Sequence, residues 1–387
     1  MTGIGDWDDF DVRSALLALL EPVCIGDALG DGVTLRDAST ETGLKLVVEV
    51  DGVVVEVDVA PKEAGRRSAA ASARWTFGYR TGDKNAPLDA TVGLRVTSLV
   101  AQHVARNEER VATRFVRPVS TGTSTRVRHV KVERLLERQT NLGVHSWALS
   151  PYVGCLVGCR FCYAQSRLAV TRTLLGLPEV PWGSWVDARI NAAEVLRREL
   201  REREALPIKF SPIVSDPYHA LETKLRLTRQ CVEVLVEAKY PQPVLMLTRE
   251  ARVLEDAELL ARLPRGFGGV SLPTIDEDVL KHFEPRASTA AERLRALEVL
   301  RDAGLETFAL VQPFLPGNLV ALADALAARV KSVRLDVLRG VEGAADQFAD
   351  PRFAHATDAK WQDEKRAELA ALLDARGIKV WSGELPP

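Results

Sequence analysis

The sequence predicts an α/β fold, a partial (β/α)6 barrel with an N-terminal α+β domain, and three observations predict it. From about residue 143, short apolar strand-like runs alternate with amphipathic helical stretches. Repeated βα units imply parallel strands joined by right-handed crossovers, and six of them make a partial barrel. Before residue 110 the order differs: strands and a hairpin signal come together, followed by one long helix. Between the two lies a cation-rich stretch with Gly, Ser and Thr. The expected division is therefore 1–110, an α+β module; 111–142, a basic connector; and 143–387, the barrel.

Composition agrees with a folded chain. At 387 residues there is enough sequence to bury a substantial core. A hydrophobic share of 46% with 27% charged residues is that of an ordinary globular protein. The formal net charge of −2 argues against a globally basic nucleic-acid binder while leaving local patches open. The first residues are acidic, without a basic and then apolar leader, and no run of about 18 uncharged apolar residues occurs. A soluble, cytoplasmic protein with reduced thiols is the expectation.

In chain order, residues 9–20 read as an amphipathic helix with Val12, Leu16, Leu17 and Leu20 on one face. Strands are expected at Gly32–Arg36, Leu44–Val50 and Val53–Val59, the last two joined by Asp51-Gly52, a strong hairpin signal. Lys62–Ala73 reads as a loop, Trp75–Arg80 as a strand, and Leu88–Arg110 as a long helix. The connector carries Arg114, Arg117, Arg126, Arg128, His129, Lys131, Arg134 and Arg138. It is either a polyanion-binding arm or a solvated linker ending in a helix with i,i+4 charge pairs. Barrel strands are expected at Ser146–Ser150, Ile208–Ser211, Val244–Leu247, Gly269–Leu272, Thr307–Gln312 and Ser332–Val337, with Lys379–Trp381 closing. Helices are expected at Ala192–Glu204, Lys224–Ala238, Leu254–Leu263, Ala291–Ala303, Leu319–Arg329 and Asp358–Ala375. Thr289-Ala-Ala-Glu292 is a capping box for the fourth of these.

Directly after the first barrel strand comes Ser150-Pro-Tyr-Val-Gly-Cys155-Leu-Val-Gly-Cys159-Arg-Phe-Cys162-Tyr163. Reactive groups of a β/α barrel collect at the C-terminal strand ends, which is where this loop falls. Three thiolates at that spacing can converge on one soft metal centre. A [4Fe–4S] cube held at three corners keeps its fourth iron open to another ligand. A zinc site needs four ligands, and the nearby fourth candidate is His145, ten residues before Cys155. A disulfide framework is a poor match for five cysteines in so long a chain.

The C-x3-C-x2-C-aromatic pattern resembles that of the radical S-adenosylmethionine (SAM) superfamily. Further stretches resemble its spore photoproduct lyase-like, or DNA repair photolyase-like, group. They are Ser215-Asp216-Pro217-Tyr218 with Glu222 and Leu227-Thr228-Arg229, then Leu247-Thr248-Arg249, Glu284-Pro285-Arg286, and Val311-Gln-Pro-Phe-Leu-Pro316-Gly317. That resemblance covers roughly residues 143–340. It implies a radical SAM barrel whose cofactors are a [4Fe–4S] cluster, held by Cys155, Cys159 and Cys162, and SAM. It also implies an external electron donor of the flavodoxin or ferredoxin type. SAM carries an ammonium, a carboxylate, ribose hydroxyls and adenine, so cofactor-binding roles are expected for Tyr163, Ser215, Asp216, Arg249, Ser271 and Arg286, with Thr274 beside Ser271. The Val311–Pro313 edge is expected to flank adenine.

Catalytic candidates are Tyr218 and Cys231. Tyr152, Tyr163 or Tyr218 would supply a hydrogen atom where no donor cysteine stands near the site. Cys231 lies within a helix beside Val232 and Leu235, which reads as a buried structural thiol; Cys24 reads likewise. Two cysteines outside the loop are too few for a second all-cysteine cube. The leading function is a radical SAM enzyme, with lyase or oxidoreductase-type chemistry, acting on a small-molecule or nucleotide-like substrate. The alternatives are a lesion lyase that holds DNA on the basic connector, and a non-catalytic iron–sulfur or zinc-binding protein.

Overall fold

The computed structural model describes residues 18–39, 44–61, 70–71, 75–81, 89–115, 126–141, 144–165, 168, 180–210, 214–383 and 385–387. The chain divides into two compact units, one of residues 1–124, 137–145 and 164–180, the other of 125–136, 146–163 and 181–387.

The first unit holds a six-stranded sheet of β1 (Ala28–Gly30), β2 (Val33–Ser39), β3 (Leu44–Val50), β4 (Val53–Pro61), β5 (Ala70–Ala71) and β6 (Trp75–Thr81). Its spatial order is β1-β2-β3-β4-β6-β5, and every pairing is antiparallel. Along β3 the apolar residues Leu44, Leu46, Val48 and Val50 are buried while Lys45 is exposed, the alternation of a strand with one covered face. Asp51 and Gly52 both have positive φ, +52° and +77°, as a two-residue turn that matches strand twist requires. The helix Ala90–Phe115 turns Val96, Val100 and Val104 into the core with Leu46, Val48 and Val57. Residues 9–17 of the expected first helix, and residues 116–125 of the connector, lie outside the described residues.

The chain continues through β7 (Arg126–Val130), β8 (Leu136–Asn141), β9 (Val144–Leu149), β10 (Tyr152–Val153) and β11 (Trp185–Arg189). The barrel strands follow as β12 (Ile208–Phe210), β13 (Val244–Thr248), β14 (Gly266–Ser271), β15 (Glu306–Val311), β16 (Ser332–Leu335) and β17 (Lys379–Trp381). β9, β12, β13, β14, β15, β16 and β17 lie side by side in chain order, and each pair is parallel. A parallel sheet that never reverses order is an opened barrel wall, with helices in the crossovers. The capping box forms: Glu292 N donates to Thr289 Oγ1 at 3.2 Å and Thr289 N to Glu292 Oε2 at 2.8 Å, opening the helix Ala290–Asp302.

Within the expected Lys62–Ala73 loop, Ala70 and Ala71 pair with β6 as β5, and two larger regions also depart from sequence expectation. The end of the basic connector is extended chain rather than helix. β7 pairs in parallel with β11, and Arg128 Nε donates to Asp187 Oδ1 at 2.6 Å. Leu135 N and Leu136 N donate to the buried Glu199 carboxylate, while the Asn191 side chain bonds both backbone groups of Val132. Those tertiary partners satisfy the backbone that a helix would otherwise satisfy internally. The expected helix Lys224–Ala238 breaks at Arg226, whose φ is +51°, and restarts as Leu227–Glu237. Glu222 caps the restart by accepting from Thr228 N and Arg229 N.

Candidate active site

The loop after β9 is shaped by its backbone before its thiols matter. β10 pairs antiparallel with β11, and Gly154 N donates to Val214 O at 3.0 Å. Arg160 N donates to Phe283 O at 2.9 Å, and Cys162 N to Cys159 O at 3.1 Å. Gly158, with φ +62°, sits against Gly183 so tightly that a Cβ on it would lie 2.9 Å from Gly183 Cα and 2.1 Å from Arg286 Nη2. Arg286 Nη1 meanwhile donates to Gly183 O at 2.7 Å. Its guanidinium therefore fills the cradle behind the cysteine loop that two glycines leave open.

In front of that loop is a cavity of about 780 Å³, counting the open space at its mouth. Cys155, Cys159 and Cys162 all border it, as do Tyr163, Ser215, Asp216 and Arg249. It lies where the loops after β9, β12, β13, β15 and β16 meet, on the carboxyl-end side of the parallel strands. Of the remaining expected site residues, Ser271, Arg286, Thr274, Tyr218 and Cys231 do not border it. Ser271 is fully buried, its carbonyl accepting from Arg293 Nη1 at 2.9 Å. Cys231 is fully buried in the helix Leu227–Glu237 among core side chains. Tyr218 is buried too, its hydroxyl donating to Asp256 Oδ2 at 3.0 Å.

The polar groups at the cavity wall hold one another. Asp216 accepts from Thr248 Oγ1 at 2.6 Å, Arg249 N at 2.7 Å and Tyr218 N at 2.9 Å, tying the loop after β12 to the end of β13. Burial pushes its carboxyl up against those three hydrogen bonds, which favour the ionised form. Arg249 Nε donates to Glu284 Oε1 at 2.8 Å, and Arg293 Nη2 faces the other carboxylate oxygen at 2.5 Å. The second contact is ionic without hydrogen-bond alignment. Glu284 is fully buried, so this Arg–Glu–Arg set commits the Arg249 charge inside the protein.

The thiols sit in a setting made for a positively charged partner. Burial raises Cys155 to about 12 and Cys159 well above its ordinary value, with nearby Asp216 and Glu284 adding to each in turn. Asp216 N donates to Cys155 Sγ at 3.4 Å, the kind of N–H contact that supports a thiolate ligand. Among the described residues no group of three or more His, Cys, Asp or Glu side chains converges on a single ion. His145 is exposed and does not border the cavity. Three thiols around an open space, with an N–H aimed at one sulfur, fit an iron–sulfur cube better than one tetrahedral ion.

Residues 149–320 match the family model described as the radical SAM superfamily. This stretch is a radical SAM domain. Among curated proteins the chain is similar to an uncharacterized protein of Methanocaldococcus jannaschii, 25% identical over 170 residues, 44% of this chain and 61% of that one. It is also similar to a radical SAM Nalpha-GlyT isomerase of Pseudomonas phage M6, 29% identical over 168 residues, 43% of this chain and 33% of that one. The chain thus spans less than two thirds of the length of either relative. Among solved structures, a spore photoproduct lyase variant is 17% identical, with a TM-score of 0.49, over 68% of this chain and 86% of that one.

Sequence reasoning passed over Trp182, Leu338 and Arg339, which border the cavity of the radical SAM domain. Arg339 follows the sixth strand closely, so the rule that mouths form at carboxyl ends of strands was the signal for it. Trp182 gave none, because it arrives from the irregular stretch before β11. No helix among the described residues is long and apolar enough to cross a membrane.

Proposed function

We propose that this chain is a radical SAM enzyme acting on a small-molecule or nucleotide-like substrate. The observation that carries the reading is the convergence of Cys155, Cys159 and Cys162 on one strand-end cavity inside the radical SAM domain. A [4Fe–4S] cluster and SAM bound there would supply the reductive cleavage of SAM to a 5′-deoxyadenosyl radical for hydrogen abstraction from substrate, with an external flavodoxin- or ferredoxin-type donor giving the electron.

The chain's own residues do the rest. Cys155, Cys159 and Cys162 would hold the cluster, with Asp216 N supporting the Cys155 sulfur. Ser215 and Tyr163 present polar and aromatic surface to SAM, and the Gln312–Pro313 edge borders the same space. Asp216 orients: three hydrogen bonds fix where its loop meets Arg249. Arg249 is a wall rather than a free clamp, because Glu284 already holds it. Arg286 supports the cysteine loop from behind.

The test is anaerobic reconstitution with iron and sulfide, followed by SAM and dithionite. The expected outcome is a brown protein that forms 5′-deoxyadenosine, and a Cys159→Ala variant that forms none. A colourless, zinc-loaded protein that leaves SAM intact would sink the reading.

A further inference from the structure

A second cation reaches the cavity from the loop after β16, and it is placed differently from Arg249. Arg339 is exposed and borders the cavity beside the half-buried Leu338. Its guanidinium lies 5.8 Å from the centroid of the Tyr163 ring. Among the described residues no carboxylate pairs with it, whereas Glu284 takes the charge of Arg249. A guanidinium at the cavity rim, set against an aromatic face and with no carboxylate beside it, keeps its donors open to an anion that enters the cavity.

The loop that carries it is fixed in advance. Gln362, 2% exposed, accepts from Leu338 N at 3.0 Å and Phe314 N at 3.2 Å. Its amide nitrogen donates to Phe314 O and Ala356 O, each at 2.8 Å. Asp336 N donates to Val311 O at 3.0 Å and the Asp336 carboxylate accepts from Arg334 at 2.9 Å, so the strand exit is pinned on both sides. Such a built position costs little further ordering when a ligand arrives.

The occupant follows from charge. The anionic charge of a thiolate-held cluster and the net positive charge of SAM nearly cancel, which leaves the Arg339 charge over. We propose that Arg339 is a substrate subsite: the substrate presents a carboxylate or phosphate oxyanion to this guanidinium, and the Tyr163 and Trp182 rings border the group that bears it. The inference rests on the radical SAM reading and adds the substrate's charge class to it.

Phenyl phosphate and benzoate are titrated calorimetrically into the reconstituted, SAM-loaded full chain, with benzyl alcohol as the neutral control. At least one oxyanion should bind about tenfold more tightly than benzyl alcohol, and the stronger of the two names the oxyanion. Arg339→Gln should weaken it by about tenfold or more, with Arg339→Lys recovering part of the loss. Oxyanion binding that is absent, no better than that of benzyl alcohol, or equal in Arg339→Gln overturns the proposal. So does a further result: Arg339→Gln weakening SAM about tenfold while decarboxylated SAM binds as before, which assigns the guanidinium to SAM's own carboxylate. Failure of the radical SAM reading looks different, since the wild-type chain would then neither bind nor cleave SAM before any probe is added.

Discussion

The loops after β9 and β12 are both dense in chemically capable residues, yet the protein spends them differently. The first offers three thiols and Tyr163 to the cavity. The second offers Ser215 and Asp216, then commits Tyr218, Glu222 and Thr228 to buried contacts. Tyr218 bonds Asp256, Tyr152 donates to Glu222, Thr228 Oγ1 donates to Pro217 O, and Arg229 reaches Asp256. Burial raises both Tyr218 and Glu222, with neighbouring acidic groups adding to each. A group displaced so far from its ordinary titration is often functional, but a satisfied structural network perturbs it as well. Where the side chains point decides between the two: one loop builds a site, and the other builds the frame that keeps the site's wall in place.

The strongest way to break this contrast is to disturb the first loop without touching a thiol. Gly158→Ala puts a Cβ 2.1 Å from Arg286 Nη2 and 2.9 Å from Gly183 Cα, at a φ of +62° that disfavours a side chain. Backbone lies on one side and a hydrogen-bonded guanidinium on the other, so the cysteine loop must move. Cluster retention, read as iron per chain and by electron paramagnetic resonance, should fall about ten- to a hundredfold. A variant that keeps full iron and an unchanged spectrum would show that the cradle does not position the loop.

The converse substitution tests the second loop. Tyr218→Phe deletes the hydroxyl that Asp256 accepts from, leaving Arg229 as a partner of that buried carboxylate. Stability to denaturant should drop by about 1–2 kcal/mol. Formation of 5′-deoxyadenosine should stay within about twofold, since the Tyr218 side chain does not border the cavity. Stability preserved with cleavage lost would reverse the assignment and return Tyr218 to chemistry.

What the sequence made legible follows from which signals are local. The order of parallel strands was readable because alternating βα patterns are a short-range property, and the Thr289–Glu292 cap closes within one helical turn. The cysteine loop was readable because its three cysteines sit in one short stretch of chain. The Arg249–Glu284–Arg293 set was not, because a strand exit and two successive helices must meet before its charges find each other. The extended connector was hidden for the same reason. Its backbone partners, Asn191 and Glu199, lie some sixty positions away, |i−j| being 59 for Asn191 and 63 for Glu199 with Leu136. Helical charge spacing at Arg134 and Arg138 carried no trace of them.

The smallest expected effect falls at the exit of β13, beside the second loop. Glu250 follows Arg249 and is buried, with Ser288 Oγ donating to it at 3.1 Å and Arg252 Nη1 at 3.2 Å. Burial, with the charge of Asp216 from the second loop behind it, pushes its carboxyl up from 4.5 to about 8. The folded chain then holds a proton that the unfolded chain gives up, so this group's contribution to stability is fully present below about pH 4.5 and is lost as pH rises toward 8. Buried His219, brought down to about 3 by burial and the nearby Arg252 charge, works in the opposite sense, since it stays neutral while the unfolded imidazole gains a proton below about 6.5. Glu250→Gln should remove only the first contribution, so that the Tm difference between variant and wild type changes by roughly 2–4 °C across pH 5 to 8, in favour of the variant at the alkaline end. A constant difference across that range would mean that neither burial nor the Asp216 charge raises the Glu250 carboxyl, and that the loop after β12 frames the wall through its hydrogen bonds alone.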